Sequence, residues 1–398
     1  MSLQDTPRSN RLHIGIFGKR NTGKSSLINA LTNQKIAVVS DVAGTTTDPV
    51  YKSMEIHGIG PCVFIDTAGF DDIGDIGELR ISQTKKAMEK TDIALMLFCN
   101  EPEQVELEWV EALKNNHIPV LGVINKIDVA EHVDDLIRSV EEQCKISVTP
   151  VSTLTKEGVD TIRAELIRSL PSDYENESIT GTLAQNGDIV LLVMPQDIQA
   201  PKGRLILPQV QILRELLDKK CVVLSATTDK LEESLAALKN PPRLIITDSQ
   251  VFKTVYEKKP PESMLTSFSV LMAGYKGDLS YFVESAKAIS RLTENSRILI
   301  AEACTHAPLA EDIGREKIPR FLRERVGEGL RVDIVSGTDF PEDVSGYDLI
   351  IHCGGCMFNR KYVLSRIEKA RTAQVPMSNY GVVIAYLSGI LEKIDLPS

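Results

Sequence analysis

The sequence has few aromatic residues and no hydrophobic run long enough to cross a membrane. Aromatic residues make up 5% of the 398 residues and include one tryptophan, which is few for a protein that stacks side chains on exposed nucleic-acid bases. No apolar stretch approaches the roughly 20 residues of a membrane-spanning helix, and the first residues lack the hydrophobic segment of a signal peptide. We therefore expect a cytoplasmic protein without a membrane partner.

Basic residues are outnumbered by acidic ones, and cysteines are few. The chain has 45 Lys and Arg against 55 Asp and Glu, a formal net charge of −10, which gives no overall attraction to nucleic acid or to an anionic bilayer. We therefore do not expect nucleic acid as a partner. Seven cysteines in a chain without an export signal do not indicate a disulfide framework, so clustered cysteines are interpreted first as metal ligands.

Three blocks of alternating β-branched strands and amphipathic helices follow one another, a pattern that predicts parallel sheets covered by helices. Polar or proline-containing segments at 171–182 and 258–263 separate the blocks. The sequence thus predicts an α/β protein with three domains, 1–171, 172–262 and 263–398, the first with a mostly parallel sheet. The second block contains no phosphate loop and no catalytic cluster, and we interpret it as a scaffold or oligomerisation module.

A phosphate-loop motif lies between the first strand and the first helix. Gly18-Lys-Arg-Asn-Thr-Gly23-Lys24-Ser25 matches G-x-x-x-x-G-K-S in the required context. Its glycines let backbone N–H groups surround phosphates, Lys24 meets the β- and γ-phosphates, and the Ser25 hydroxyl ligates Mg²⁺. The phosphates are expected to contact Gly18, Thr22, Gly23, Lys24, Ser25 and Ser26.

Two further segments can serve the metal and the γ-phosphate. Asp66 to Gly69, Asp-Thr-Ala-Gly, ends a strand, where Asp66 can hold Mg²⁺ through water and the Gly69 amide can sense the γ-phosphate. Thr46, in the polar loop 44–48, can bring its hydroxyl to Mg²⁺.

The motif Asn125-Lys126-Ile127-Asp128 ends another strand and predicts guanine selectivity. The Asp128 carboxylate can accept hydrogen bonds from the ring N–H and the amino group of guanine. Adenine presents an acceptor where guanine has that ring N–H, and an unpaired, desolvated acceptor is costly, so the motif selects GTP over ATP. Ser152 and Thr153 follow the next strand and can contact the guanine oxygen.

On these motifs residues 12–170 resemble a translation-factor-class GTPase, and more closely the tRNA-modification and Era-like group. Many regulatory GTPases have a glutamine after Asp-Thr-Ala-Gly that orients the attacking water, and Phe70 cannot do so. The resemblance implies that Asn21 helps to bind K⁺, that K⁺ stimulates hydrolysis, and that Glu78 or Asp75 positions water. The catalytic residues would then be Lys24, Thr46, Gly69 and Glu78.

A second constellation lies in the third block. Cys304-Thr-His306 and His352-Cys353-Gly-Gly-Cys356 follow two strands that can be neighbours, and such thiolates and imidazoles are typical of a metal site. Zinc would take four ligands from this set, whereas a [4Fe-4S] cluster would take the three cysteines and leave one iron for a histidine or an outside ligand. Either histidine can equally be a hydrogen-bond donor to the ligands.

The combination resembles the [FeFe]-hydrogenase maturation GTPase family over the entire chain. The resemblance implies GTP and GDP binding, Mg²⁺, K⁺, a central dimerisation domain, and a homodimer or higher oligomer. It also implies a C-terminal domain with a [4Fe-4S] cluster on Cys304, Cys353 and Cys356, with His306 and His352 as further candidates. Such a scaffold would receive a di-iron precursor from two radical-SAM maturases and transfer it to apo-hydrogenase. The alternative is an RNA-directed GTPase for tRNA modification or ribosome assembly with a structural zinc module, disfavoured by the acidic charge and few aromatics.

Overall fold

The chain forms two compact units, Met1–Glu175 and Asn176–Ser398. The computed structural model describes residues 7–32, 49–56, 59–70, 75–170, 178–195, 205–303 and 313–397, without the side chains of residues 8 and 75–79. Within these ranges no helix has the length and apolar character needed to cross a membrane.

The first unit contains a six-stranded sheet with helices packed against it. Its strands are β1 (Leu12–Gly18), β2 (Val50–Ile56), β3 (Gly60–Asp66), β4 (Ile93–Phe98), β5 (Val120–Asn125) and β6 (Val148–Val151). Its helices are α1 (Lys24–Thr32), α2 (Asp75–Met88), α3 (Gln104–Asn115), α4 (Val133–Cys144) and α5 (Val159–Arg168). The strand order is β2-β3-β1-β4-β5-β6. Strand β2 runs antiparallel to β3, and the other pairs are parallel.

The central strands of this sheet are apolar on both faces. Every residue of β1 and β4 is buried, as expected for parallel strands that are covered by helices on both sides. The carboxyl ends of these strands lie at one edge of the sheet, where an open α/β fold binds its ligands. The predicted nucleotide motifs follow β1, β3, β5 and β6, so all of them lie at this same edge of the sheet.

The second unit contains two four-stranded parallel sheets. The strands of the first are β7 (Ile189–Val193), β8 (Val222–Ala226), β9 (Leu244–Thr247) and β10 (Met264–Ser267), in the order β10-β9-β7-β8. The strands of the other are β11 (Arg297–Glu302), β12 (Arg331–Ser336), β13 (Leu349–His352) and β14 (Met377–Asn379), in the order β12-β11-β13-β14. The predicted α/β class, with a mostly parallel sheet in the first domain, is confirmed.

Helices connect these strands and fill the space around them. They are α6 (Leu207–Asp218), α7 (Leu231–Ala236), α8 (Phe252–Lys258), α9 (Phe268–Lys276), α10 (Leu279–Ala286), α11 (Ile318–Val326), α12 (Arg360–Thr372) and α13 (Tyr380–Leu387). One hydrophobic cluster includes Leu191 and Ile245 from one sheet and Leu299 and Ile350 from the other. The two sheets of this unit therefore share a core.

The segment 258–263, where the sequence places the second domain boundary, connects α8 to β10. Strand β10 pairs with β9, with Met264 opposite Leu244, so the sheet continues past that boundary. Two prolines end a helix equally well inside a strand–helix–strand unit and between domains. The proline content of this segment therefore indicated a linker although the segment lies within a sheet-forming unit.

Candidate functional site

The predicted phosphate loop curls around the ammonium group of Lys24. Gly18 and Gly23 have backbone φ angles of 150° and 91°, which favour glycine. Lys24 Nζ donates hydrogen bonds to the carbonyl oxygens of Gly18 at 2.8 Å and Lys19 at 2.7 Å, and Thr22 Oγ1 donates to the same Lys19 carbonyl at 2.9 Å. A loop of this kind ahead of a helix N-terminus suits a phosphate group.

Ser25 and Asp66 meet where α1 begins and β3 ends. Ser25 Oγ donates a hydrogen bond to Asp66 Oδ2 at 2.7 Å, and Asp66 is buried. Burial raises the pKa of the Asp66 carboxyl, while the Ser25 hydrogen bond and the Lys24 ammonium oppose that shift. A hydroxyl and a carboxylate in contact beside a phosphate loop are the oxygen ligands that suit Mg²⁺. Ser26 lies in the first turn of α1, and Gly69 is buried just after β3.

Asp128 is held in place by Ser152. Ser152 Oγ donates a hydrogen bond to Asp128 Oδ1 at 2.6 Å; Ser152 is buried, whereas Asp128 and Lys126 are exposed. The sequence predicts a contact between Ser152 and the guanine oxygen, but in this structure its hydroxyl orients the carboxylate. An oriented carboxylate at the protein surface is a suitable acceptor for two neighbouring N–H groups.

Asn125 connects the phosphate loop to the loop that follows β6. Its Nδ2 donates to the Thr22 carbonyl at 2.8 Å, and its Oδ1 accepts from the Thr153 amide at 3.3 Å. The sequence predicts Asn125 as part of the guanine motif. The spacing of that motif does not show that Asn125 also connects the two loops through hydrogen bonds. A Cβ at Gly23 would lie 2.2 Å from Asn125 Nδ2.

We expect Gly23→Ala to weaken GTP binding by about 100-fold, or about 2.8 kcal/mol. The added methyl group would displace the buried amide of Asn125 and separate the two loops, and alanine is strained at this φ angle. Titration of the purified protein with a fluorescent GTP analogue measures the loss.

Gly60→Ala is the matched control for that variant. Gly60 also has a positive φ, 85°, but an added Cβ would meet nothing within 4 Å. Gly60→Ala therefore has the backbone strain of Gly23→Ala without a steric clash like the one with Asn125. It should cost about 1 kcal/mol of stability and leave GTP affinity unchanged. Equal losses of affinity in both variants would show that the contact with Asn125 is unimportant.

Phe70 occupies the position of the water-orienting glutamine but faces the core. It is buried and its ring stacks on Trp109 with centroids 5.2 Å apart; Trp109 also stacks on Phe17. The side chain that follows the Asp-Thr-Ala-Gly motif thus packs against the core.

Lys19 of the phosphate loop is anchored to the start of α3, a contact that the sequence did not predict. Its ammonium lies 2.7 Å from Glu103 Oε1 and 3.2 Å from Glu106 Oε2. Glu106 also accepts a hydrogen bond from the Glu103 amide. Burial raises the pKa of the Glu106 carboxyl. This buried carboxylate holds one side of the loop in place.

Five predicted site residues have no described side-chain geometry. Thr46, Cys304 and His306 lie outside the described residues, and Asp75 and Glu78 lie in α2 with only their backbone described. Asn21 is exposed in the phosphate loop with a φ angle of 59°, and its role toward K⁺ stays a prediction.

The candidate metal centre follows the ends of β11 and β13, which are adjacent as predicted, with Ala301 opposite His352. Cys353 Sγ accepts hydrogen bonds from the amides of Ala303 at 3.0 Å and Gly355 at 3.5 Å. Two N–H groups aimed at one sulfur stabilise a thiolate. Ala303 immediately precedes Cys304 in the chain.

The described part of this centre suits a metal with sulfur ligands. Cys353 and Cys356 are both partly exposed, and Gly355 between them has a φ angle of 63°, which allows the turn that a two-residue spacing requires. Among the described residues no group of three or more His, Cys, Asp and Glu could hold a metal ion; Cys304 and His306 are not among those residues. The two described thiols thus supply part of a ligand set.

His352 does not offer a nitrogen to a metal in this structure. Its Nε2 accepts from Arg366 Nη1 at 2.9 Å, and its Nδ1 therefore carries the proton and donates to the Cys353 carbonyl at 2.7 Å. Burial, and then the charge of Arg366, lower the pKa of His352 to about 3. In this structure its imidazole orients Cys353, one of the two roles that the sequence allowed, and His352 as a metal ligand stays a prediction.

Two residues at this centre were missed by sequence reasoning. Asn379, at the end of β14, donates from Nδ2 to the Cys353 carbonyl at 3.1 Å. Arg366 lies within the buried stripe of α12 that also contains Tyr362, Val363, Ile367 and Ala370. An arginine at a core position of a helical apolar stripe is a signal that the sequence did contain.

The GTPase part of the chain is similar to several known proteins. Residues 13–126 match the model of the family described as 50S ribosome-binding GTPase. The tRNA modification GTPase MnmE of Chromobacterium violaceum is 34% identical over 170 residues, 42% of this chain and 37% of that protein. GTPase Der of Wolinella succinogenes is 34% identical over 201 residues, 46% of this chain and 42% of that protein. The chain thus spans about two fifths of the length of these relatives. A solved structure of Era with MgGDPNP and 16S ribosomal RNA overlaps 54% of this chain and 91% of that one, with 20% identity and a TM-score of 0.37.

The second unit matches two models of one family. Residues 179–277 match the Hydrogen maturase F dimerization domain, and residues 280–395 match the Hydrogen maturase F tetramerization domain. Together they cover just over half of the chain, and the GTPase match precedes them in sequence. The chain belongs to the hydrogen maturase F family.

Proposed function

We propose that this protein is a GTPase that serves as a scaffold for an iron–sulfur centre during the maturation of [FeFe]-hydrogenase. The observation that carries the proposal is the Cys353 sulfur with its two amide donors, in a chain whose first unit has a phosphate loop. The scaffold would hold a [4Fe-4S] cluster on Cys304, Cys353 and Cys356, with His306 and His352 as further candidates. Its proposed cytoplasmic partners are two radical-SAM maturases and apo-hydrogenase.

In the first unit the proposed reaction is transfer of the γ-phosphoryl group of GTP to water. Lys24 and a Mg²⁺ ion on Ser25 and Asp66 would meet the developing charge. Thr46 and Gly69 would respond to the γ-phosphate, because switch segments reorganise when it leaves. K⁺ beside Asn21 and an acid such as Glu78 would replace the missing glutamine.

The guanine base would be read by the residues after β5 and β6. Asp128, oriented by Ser152, would accept from the ring N–H and the amino group, and Asn125 would keep this pocket at a fixed place relative to the phosphates. Lys126 and Thr153 would complete the pocket. The product GDP would occupy the same site.

In the second unit the chain's own residues would prepare the cysteines. Ala303 and Gly355 direct N–H groups at Cys353 Sγ, while His352 and Asn379 fix the Cys353 carbonyl. When bound, the cluster would supply an iron position open to an exchangeable ligand. Cys353 is thus held by hydrogen bonds from four different residues.

The proposed assembly is a homodimer or a higher oligomer, as the two matched domains of the second unit suggest. Strand β8 is at the edge of its sheet, and Val222 on it is 59% exposed. Val210 and Leu217 lie one heptad apart on α6 and are also exposed. Exposed apolar side chains beside a sheet edge suit a protein contact.

Anaerobic reconstitution with iron and sulfide, followed by metal analysis and an absorbance spectrum, tests the scaffold role. We expect about four irons per chain and a broad absorption near about 400 nm, where iron–sulfur charge transfer occurs. Tightly bound zinc that excludes iron, with no such absorption, would instead support an RNA-directed GTPase with a structural zinc module.

A further inference from the structure

Arg366 is a buried cation that meets no carboxylate of the residues that the structure describes. Its side chain is 1% exposed, and it forms no ion pair with Asp or Glu among the residues that the structure describes. Its guanidinium instead donates to His352 Nε2, to the Gly337 carbonyl and to Tyr362 Oη. Arginine keeps its charge inside proteins, so within the described part of the chain this charge is buried without a compensating anion.

Aromatic rings surround the guanidinium but do not neutralise it. Its central carbon lies 4.8, 4.6 and 4.7 Å from the ring centroids of Phe340, Phe358 and Tyr362. These contacts are favourable, yet Nε has no hydrogen-bond partner. Packing alone would be served equally well by a methionine or leucine at this position in the apolar stripe, so the retained charge requires another explanation.

The buried charge is connected to the cysteine turn. Arg366 Nη1 donates to His352 Nε2, and His352 Nδ1 donates to the carbonyl of Cys353. Each thiolate adds negative charge to the group it binds, so an iron–sulfur centre with three cysteine ligands is anionic. The reduction potential of such a centre depends on nearby charge and hydrogen bonds.

We propose that Arg366 is the fixed counter-charge of the anionic centre held by Cys353 and Cys356, and that it raises the reduction potential of that centre through its charge and through His352. This inference rests on the proposed scaffold function. Arg366 is then a positioning residue, which changes the reduction potential of the centre without binding the centre.

Redox titration of anaerobically reconstituted full-length protein tests the inference. Arg366→Met removes the charge and leaves a shorter, unbranched and uncharged side chain. At a given potential the ratio of reduced to oxidised centre should fall about tenfold, which is a potential about 59 mV lower for one electron. Arg366→Lys keeps a cation but loses the planar guanidinium that lies against the rings, so its ratio should fall by less than that of Arg366→Met. Arg371→Met, at an exposed arginine on the same helix that pairs with Asp278, is the control and should have no effect.

Each result bears on the inference in one direction. An unchanged potential in Arg366→Met with full iron content would overturn it, as would an equal decrease in Arg371→Met. Loss of the cluster from Arg366→Met but not from Arg366→Lys would support it, and loss from both would overturn it. If Arg366→Met fails to fold, Arg366→Lys decides: a wild-type ratio supports the inference and a tenfold decrease overturns it. If the wild-type protein takes up no iron–sulfur cluster, the proposed function itself fails, and this inference fails with it.

Discussion

Asp128→Asn should weaken GTP binding by about 100-fold and create binding of xanthosine triphosphate. The carboxylate accepts from two N–H groups of guanine, whereas an amide presents one acceptor and one donor, and its donor would face the guanine amino group. Xanthine carries an oxygen in place of that amino group, so the amide matches it. Competition between labelled GTP and each unlabelled nucleotide measures both changes.

Asp134→Asn is the control for this charge change. Asp134 is an exposed acid in the first turn of α4, so the same substitution there should leave both affinities as in the wild type. If Asp128→Asn retains wild-type affinity for GTP, the assignment of the guanine pocket to Asp128 is incorrect.

Cys353→Ala should reduce cluster iron to less than about a tenth of the wild-type content while GTP hydrolysis stays within about twofold. The substitution removes the sulfur that accepts the Ala303 and Gly355 amides. Hydrolysis is expected to continue because the phosphate loop belongs to the other compact unit. Iron and sulfide analysis after reconstitution, beside a phosphate-release assay, measures the two effects.

Cys221→Ala controls for the loss of a thiol in the same unit. Cys221 is a buried single cysteine whose Sγ donates to the Gln185 carbonyl at 3.2 Å, and its loss should leave the iron content intact. An equal loss of iron in both variants, or a normal cluster in Cys353→Ala, would contradict the assignment of Cys353 as a ligand.

The sequence predicted those parts of the sites in which the residues lie at fixed separations within one short segment beside a strand or a helix. The phosphate loop needs its glycines and lysine at fixed separations, so Lys24 and Ser25 were identifiable from the chain alone. The adjacency of β11 and β13 was expected because both strands lead directly into cysteine-containing turns. These features are local, and local patterns are what a single sequence records.

Contacts between distant side chains were not predictable in the same way. The orientation of His352 depends on Arg366, on a helix that the spacing of the cysteine motif does not include. The link from Asn125 to the Thr22 carbonyl spans about a hundred residues of sequence, and the pairing of Lys19 with Glu106 likewise depends on how α3 packs. Such contacts arise when elements pack together, and periodicity contains no information about them.

The shared core of the second unit affects how that unit unfolds. Side chains from its two sheets occupy one apolar cluster, so removing either sheet would expose the other half of that cluster to water. Residues 176–398 should therefore lose their structure in a single cooperative transition, and a chain cut between residues 262 and 263 should yield fragments prone to aggregation. The folding of the turn that carries Cys353 is thus expected to depend on strands that lie far upstream in the chain.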